Sequence, residues 1–267
     1  MWTAETDLGR HRLRAHAVLR SHRSPLALSH TSAAVEHGLS LFRPNLERVH
    51  VTCLGRALSR TTRDVIYHCP SSTDGLHYLS DGIAVVDPAR AAVESAALSS
   101  VQAGVVVLDS ALHLKRALPD ELSERYRERA AWPHSRHLQI AMRLARVGAG
   151  SVGESLMRFL MWEAGLPEPL LQFEVTDRAG SLIGRVDFAW PEHGLLGEFD
   201  GMVKYSQYLR PGESPADVLR REKIREDRIR EETGWLMIRF VWDDIFDTKA
   251  IASRIRDQLA RGLRTRR

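Results

Sequence analysis

Residues 182–200 read LIGRVDFAW, then PEHG, then LLGEFD, and this stretch decides the fold of the C-terminal part of the chain. Val186, Phe188 and Trp190 stand two residues apart and therefore share one face of a β-strand. Residues 191–194 contain a proline and a glycine and predict a turn. The next six residues predict a second strand, so the stretch places two neighbouring strands in one sheet.

The segments on either side of this stretch extend the sheet and add helices. In chain order they predict a helix over 151–164, a strand over 171–176, the two strands just described, a helix over 215–233, a strand over 235–241 and a final basic helix. The three consecutive strands are joined by short turns and are expected to form an antiparallel meander. The order therefore predicts a mixed sheet flanked by helices.

The first 150 residues show a different succession of elements. A short helical run over 32–37 precedes two β-prone stretches, 48–53 and 64–69, and helical patterns follow over 89–98, 101–114, 119–130 and 138–147. The sequence Gly148-Ala-Gly150 then breaks the pattern. We therefore predict an α/β (α+β) protein with a mixed α/β domain over 1–150 and a second domain over 151–267.

The composition is that of an ordinary globular protein. Of the 267 residues, 43% are hydrophobic and 27% are charged, which argues against disorder. No run approaches the ~18 apolar residues of a transmembrane helix, and the first residues do not resemble a signal peptide. Cys53 and Cys69 cannot form a disulfide scaffold or a zinc ribbon. We expect a cytoplasmic protein with no membrane partner.

Three carboxylates lie on the two strands of the opening stretch. Asp187 has apolar neighbours, and Glu198 and Asp200 stand two residues apart and share a face. Carboxylates in apolar strands are costly to bury, so they mark either a cation site or a network of ion pairs. A cation site of this kind suits Mg²⁺ or Mn²⁺. The alternative is that Asp187 and Glu198 pair with Arg185 or Arg239.

The charge of the C-terminal domain is unevenly distributed. Residues 151–250 carry 13 basic and 19 acidic side chains, whereas residues 251–267 carry six arginines and one aspartate. An acidic body with an arginine-rich end suits a protein that binds divalent cations in one place and phosphates in another. A solvated tail on an ordinary domain gives the same pattern.

Several blocks of this domain resemble a known family. They are Gly153-Glu154, Arg185-Val-Asp187-Phe, Glu198-Phe-Asp200-Gly201, Lys204-Tyr205, the run from Glu222 to Asp227, and Gly234-Trp235 leading to Arg239-Phe240. In this order they resemble the PD-(D/E)XK nuclease superfamily, in particular the bacterial endonuclease-like domains related to very-short-patch-repair enzymes. The resemblance covers residues 151 to about 247 and implies a restriction-endonuclease-like core.

The resemblance also implies roles for individual residues. Asp187 and Glu198 would bind the catalytic metal, with Glu154 assisting. The wider superfamily usually has lysine two positions after the second acid, where this chain has Asp200, which would then be an added metal ligand. The missing positive charge would come from Lys204 or Lys223, and we favour Lys223.

Two of these roles have structural alternatives. Ser151-Val-Gly-Glu154 is also a capping box, in which the glutamate satisfies a helix N-terminus without a metal. The helix over 215–233 contains oppositely charged pairs four residues apart, such as Glu226 and Arg230, which are typical of a surface helix.

The N-terminal domain shows a second resemblance. The segment Leu28-Ser-His-Thr-Ser-Ala-Ala34, with His37-Gly38-Leu39 and Val49-His-Val-Thr52 after it, resembles the region that follows the winged helix in AbiEi-like antitoxins. Only about 28 residues precede it, too few for a winged helix. His30 and His37 have no third ligand at metal spacing, so we expect packing or capping roles for them.

These observations lead to alternative functions. The first is a Mg²⁺- or Mn²⁺-dependent DNA endonuclease or nickase, acting in phage defence or DNA repair. The second is a non-catalytic regulator related to antitoxins, with DNA or a cognate toxin as its partner and a degenerate nuclease fold as its binding module. The third is an interaction protein whose carboxylates are structural.

Overall fold

The structure is a computed structural model, and it describes residues 6–55, 59–69, 74–129, 136–201 and 214–265. These residues form two compact units, Met1–Val152 and Gly153–Arg267. Both units combine helices with a mixed sheet, so the predicted α+β class is confirmed. In the part of the chain that is described, no helix is long and apolar enough to cross a membrane.

The N-terminal unit contains a six-stranded sheet and six helices among its described residues. The helices are α1 (Asp7–Ser21), α2 (His30–Glu36), α3 (Pro88–Ala97), α4 (Val101–His113), α5 (Pro119–Arg127) and α6 (Arg136–Leu144). The strands are β1 (Leu26–Leu28), β2 (Val49–Cys53), β3 (Arg60–Thr61), β4 (Val65–His68), β5 (Leu76–Tyr78) and β6 (Ala84–Val86). The strand order is β3-β4-β2-β1-β6-β5.

Two central strands of this sheet run in parallel and set the position of several histidines. β2 pairs with β4 so that His50 lies opposite Ile66 and Thr52 lies opposite His68. All five residues of β2 are buried. Residues 50 and 68 therefore lie on adjacent strands, close to the beginning of α2.

The helix α3 follows β6 directly and is almost wholly buried. It begins where the Asp87 side chain accepts a hydrogen bond from the Arg90 N–H at 2.8 Å, and Pro88 occupies the first helical turn. Because α3 is buried on nearly all sides, it carries Arg90 and Glu94 into the interior. Charged residues that are this buried require partners.

The C-terminal unit contains a four-stranded sheet with helices on both faces. Its elements are α7 (Val152–Glu163), β7 (Leu170–Thr176), β8 (Leu182–Trp190), a 3₁₀ turn (Pro191–His193), β9 (Leu195–Phe199), α8 (Pro215–Thr233), β10 (Leu236–Phe240), α9 (Trp242–Phe246) and α10 (Thr248–Thr265). The strand order is β10-β9-β8-β7. β7, β8 and β9 are antiparallel neighbours, which confirms the predicted meander, and β10 lies parallel to β9.

Each face of this sheet packs against its own helices. One cluster of buried side chains joins α7 and α10 to the sheet through residues such as Met157, Phe188 and Ile255. A smaller cluster on other sheet positions includes Val186 and Ile229, which belongs to α8. The sheet therefore forms a central layer that positions α7 and α8 beside the acidic residues of β8 and β9.

Gly153 allows α7 to approach the sheet closely. A Cβ atom built at this position would lie 2.1 Å from Cε1 of Phe199 on β9. This is far inside van der Waals contact, so a side chain here would push α7 away from the sheet. The next residue, Glu154, contacts Gln172 of β7 from this closely packed helix.

Candidate functional site

Glu154 and Asp187 share one hydrogen-bond donor. The Gln172 side-chain amide nitrogen lies 3.1 Å from Oε2 of Glu154 and 3.2 Å from Oδ1 of Asp187. The three residues come from α7, β7 and β8. Glu154 is only 4% exposed, so a carboxylate has been brought into the interior beside a second one. Such an arrangement is costly unless hydrogen bonds or a cation stabilise the negative charges.

Gln172 has an unusual backbone conformation. Its φ angle is +49°, in the left-handed region, although it lies inside a β-strand. Neighbouring residues keep the regular β7–β8 register, with Leu171 opposite Phe188 and Phe173 opposite Val186. This conformation costs about 1–3 kcal/mol in a non-glycine residue and is found most often at functional sites. The strain therefore lies at the residue that joins the two carboxylates.

The second oxygen of Asp187 is held by the backbone of the adjacent strand. The Phe199 N–H donates a hydrogen bond to Oδ2 of Asp187 at 2.8 Å. Both oxygens of Asp187 therefore accept hydrogen bonds from neutral donors. This fixes the carboxylate at the end of β9, beside Glu198.

Glu198 forms an ion pair with an arginine of α8. The Arg225 guanidinium donates to Oε1 of Glu198 at 2.7 Å, and the Glu198 side chain is 17% exposed. Burial raises the pKa of Glu198, Arg225 opposes the rise, and the negative charge of Asp187 adds to it. The charges of both Asp187 and Arg225 therefore affect the pKa of Glu198. The two acids lie close enough to interact electrostatically.

Arg225 is held in place from several sides. It also donates to the Arg185 carbonyl at 3.0 Å and to Glu222 at 3.0 Å. Gly184 on β8 leaves room for it, since a Cβ there would lie 3.2 Å from Cδ of Arg225. Sequence reasoning missed Arg225 and Gln172. Two features of the sequence could have indicated Arg225: its position two residues after Lys223, and the small residue Gly184 on the strand that it faces.

The other predicted site residues are Asp200, Lys223 and Lys204. Asp200 follows β9, and its N–H donates to the Phe240 carbonyl at 2.8 Å, which extends the β9–β10 ladder. Lys223 lies on α8 and is exposed. Lys204 lies outside the described residues. Among the described residues, the cation that pairs with Glu198 is Arg225.

The alternative ion pairs considered from the sequence form with different partners. Arg185 pairs with Glu174 at 2.7 Å, and Arg239 pairs with Glu226. Glu226 also pairs with Arg230 at 2.7 Å, as expected for the surface of α8. Asp187 thus stays with neutral donors, and Glu198 takes an arginine that the sequence did not single out.

The three carboxylates are neighbours without converging on one point. Within the described ranges, the group of three or more histidine, cysteine or acidic residues with ligand atoms all within 4.8 Å is His30, His50 and His68. Glu154, Asp187 and Glu198 do not meet this limit. A cation held by all three would draw Glu198 away from Arg225.

The arginine-rich end of the chain is partly used for internal contacts. Arg254 on α10 donates to the Arg239 carbonyl at 2.6 Å and to Asp244 at 3.1 Å. Arg256 donates to the Ala164 carbonyl at 2.8 Å. These two arginines therefore fasten α10 to its own unit.

Comparisons with known proteins identify two relatives, whose names state no activity. The chain is 30% identical over 175 residues to Uncharacterized protein MT2308 and to Uncharacterized protein Rv2248, from two strains of Mycobacterium tuberculosis. Each match covers 65% of this chain and 61% of the relative. No protein-family profile matches the chain, and no solved structure matches it.

Proposed function

We propose that the C-terminal unit binds Mg²⁺ or Mn²⁺ through Glu154, Asp187 and Glu198 and hydrolyses phosphodiester bonds in DNA. The observation that carries the proposal is the pair of acids joined by one amide. Glu154 and Asp187 come from a helix and a strand and meet at Gln172, whose backbone is strained. Folding has therefore placed two carboxylates beside one strained residue, and a cation bound there would stabilise both negative charges.

The donor set fits a hard cation. Carboxylate and amide oxygens are the ligands that Mg²⁺ and Mn²⁺ prefer. Glu154 and Asp187 would supply carboxylate oxygens, and rotation of the Gln172 amide would bring its carbonyl oxygen to the side that its NH₂ group now occupies. The cation would polarise the phosphodiester and lower the pKa of a water molecule.

Arg225 would allow the site to exist in two states, one without a cation and one with a cation bound. Without a cation, it balances Glu198 through the 2.7 Å ion pair. When Glu198 turns toward a cation, the guanidinium becomes available to the phosphate, whose negative charge grows as the nucleophile attacks. Arg225 would then take the place of the superfamily lysine, at whose position this chain has Asp200.

A supercoiled-plasmid assay tests the proposal. Purified protein is incubated with Mg²⁺ or Mn²⁺, and nicked and linear DNA are measured for wild type, Asp187→Asn, Glu198→Gln and the control Glu174→Gln. Glu174 lies on the same sheet, but its side chain is 55% exposed and pairs with Arg185. We expect Asp187→Asn and Glu198→Gln to lose at least 100-fold of the wild-type rate and Glu174→Gln to stay within twofold. Equal background conversion by all four proteins contradicts the proposal.

A non-catalytic regulator is the second candidate. The observation in its favour is the Glu198–Arg225 ion pair, since an acid already neutralised by arginine needs no metal. This function predicts DNA or toxin binding that is unaffected by chelators, with no nicking. An electrophoretic mobility shift in EDTA, run beside the plasmid assay, separates the two candidates.

We place either activity in the cytoplasm, in phage defence or DNA repair. Cys53 and Cys69 are both free thiols in the structure. Free cysteines are typical of a reducing compartment. DNA, the proposed substrate, is present there, and so would be a cognate toxin.

A further inference from the structure

Three histidines of the N-terminal unit meet at one point. His30 begins α2, His50 lies on β2, and His68 ends β4. Their ring nitrogens offer ligand atoms that all lie within 4.8 Å of one another. His30 is 1% exposed and His50 is 7% exposed, and His68 is half-buried. The sequence shows no further histidine at metal-ligand spacing from His30, whereas the structure places two beside it.

His30 has the hydrogen bonds of a metal-binding histidine. Its Nδ1 lies 3.0 Å from the Ser29 hydroxyl and 3.2 Å from Oε2 of Glu94. Its other nitrogen, Nε2, is buried and has no hydrogen-bond partner. Histidines that bind metals usually donate one ring N–H to a carboxylate or similar acceptor, which leaves the other nitrogen for the ion. A buried nitrogen without a partner otherwise costs stability.

His50 and His68 already have a separation close to that of two ligands. Nδ1 of His50 lies 3.0 Å from Nε2 of His68. Two nitrogens that bind a tetrahedral ion at 2.0–2.1 Å are separated by about 3.3 Å. To bind one ion, the stacked rings would have to turn until their ring nitrogens point at it, and the N–H proton of the hydrogen bond between His50 and His68 would move to the other nitrogen of the same ring.

The protonation state also suits metal binding. Burial lowers the pKa of all three histidines, and the neighbouring imidazoles lower it further for His30 and His50. The pKa of His50 falls to about 4. The rings are therefore neutral at physiological pH, which is the form of imidazole that binds metals, and Nε2 of His30 has no hydrogen-bond partner.

Nearby charges set the electrostatic balance. Arg90 and Arg129 are buried, and both pair with Oε1 of Glu94, Arg90 at 2.8 Å. Glu94 thus lies between the two guanidiniums and His30. Its carboxylate offsets part of the positive charge that an ion would meet.

We propose that His30, His50 and His68 bind a divalent transition metal of the Zn²⁺ class, with Glu94 orienting His30. An all-imidazole set favours zinc, cobalt or nickel over the magnesium of a carboxylate site. His50 also lines a cavity of about 450 Å³, together with Thr31, Ile66 and Ser95. Three histidines and a water from this cavity would complete a tetrahedral shell, the arrangement of zinc sites that keep an exchangeable position.

The test is a Co²⁺ titration of the full chain, purified without an affinity tag and treated with a chelator. Tetrahedral Co²⁺ gives a visible absorption band, and Zn²⁺ is then added to displace it. We expect one Co²⁺ per chain in the wild type, at least a 100-fold weaker affinity in His68→Gln, and a twofold change at most in His77→Gln. His77 is the control because it is exposed on β5.

Two outcomes overturn the proposal. One is the lack of a stoichiometric cobalt band in the wild type, and the other is equal affinity in wild type and His68→Gln. Circular dichroism shows whether His68→Gln folds, and a raised melting temperature of the wild type in Zn²⁺ gives a test independent of any variant. Asp187→Asn should bind cobalt normally, so this site and the carboxylate site are judged separately.

Discussion

The Glu94→Gln substitution would remove the negative charge that pairs with two buried arginines, Arg90 and Arg129. Glu94, Arg90 and Arg129 each have side chains that are 1% exposed, and Glu94 also accepts the His30 N–H at 3.1 Å. Removing one partner of a buried ion pair costs about 3–5 kcal/mol, because the remaining charge stays buried. Glutamine keeps the size of the side chain, so the loss is electrostatic rather than steric.

The matched control is a similar substitution at an exposed pair. Glu174 and Arg185 have side chains that are 55% and 52% exposed, and their carboxylate and guanidinium lie 2.7 Å apart. Exposed pairs of this kind contribute about 0–1 kcal/mol. Glu174→Gln should therefore leave the free energy of unfolding almost unchanged, although it removes the same charge.

Urea unfolding followed by circular dichroism measures both variants in chelator. With a slope of about 2 kcal/mol per molar urea, Glu94→Gln should lower the midpoint of the affected transition by about 1.5–2.5 M. Hydrogen exchange should show the loss of protection in α3 and leave α7 unchanged, since α3 carries Glu94. Equal midpoints for Glu94→Gln and Glu174→Gln would refute the reasoning.

Three further results are expected. Gly153→Ala should lower the free energy of unfolding by about 1–3 kcal/mol, because the alanine Cβ would clash with Phe199. The clash should outweigh the better helix propensity of alanine. Thermal unfolding measures the effect, and a raised melting temperature would contradict it. Arg225→Met should bind Mn²⁺ at least as tightly as wild type, because Glu198 is released from its ion pair. It should nick DNA about 10–100-fold more slowly, because the phosphate loses the guanidinium. Weaker Mn²⁺ binding in calorimetry would contradict this prediction. Burial lowers the pKa of His11, so as the pH falls the unfolded chain binds a proton at this residue before the folded chain does. Stability should therefore fall as the pH drops below about 6.5. A urea midpoint that rises between pH 7 and pH 5.5 would contradict this prediction.

The sequence predicts the C-terminal fold well because its strands show strong patterns. β8 is bounded by turns, and the helix, meander, helix and strand around it are found as expected. The predicted shared face of Val186, Phe188 and Trp190 is wrong in part, because Phe188 and Trp190 pack in one core cluster and Val186 in the other. The N-terminal sheet was harder to predict. β1 (Leu26–Leu28) and β6 (Ala84–Val86) have three residues each, all buried, so they show no alternation from which a strand can be inferred.

The sites show the limits of local patterns more clearly. Asp187 and Glu198 stand out in the sequence because acids in apolar strands are unusual. Gln172 does not, since its importance comes from a left-handed backbone and from the strand opposite. His50 and His68 are 18 residues apart and become neighbours only through the parallel pairing of β2 with β4.

The most direct test of the carboxylate site is a Mn²⁺ titration of the wild type and Asp187→Asn by isothermal calorimetry, with Glu174→Gln as the control. We expect one ion per chain in the wild type and in Glu174→Gln, and an affinity at least tenfold weaker in Asp187→Asn. The same Mn²⁺ affinity in all three proteins would contradict a cation site at Glu154, Asp187 and Glu198.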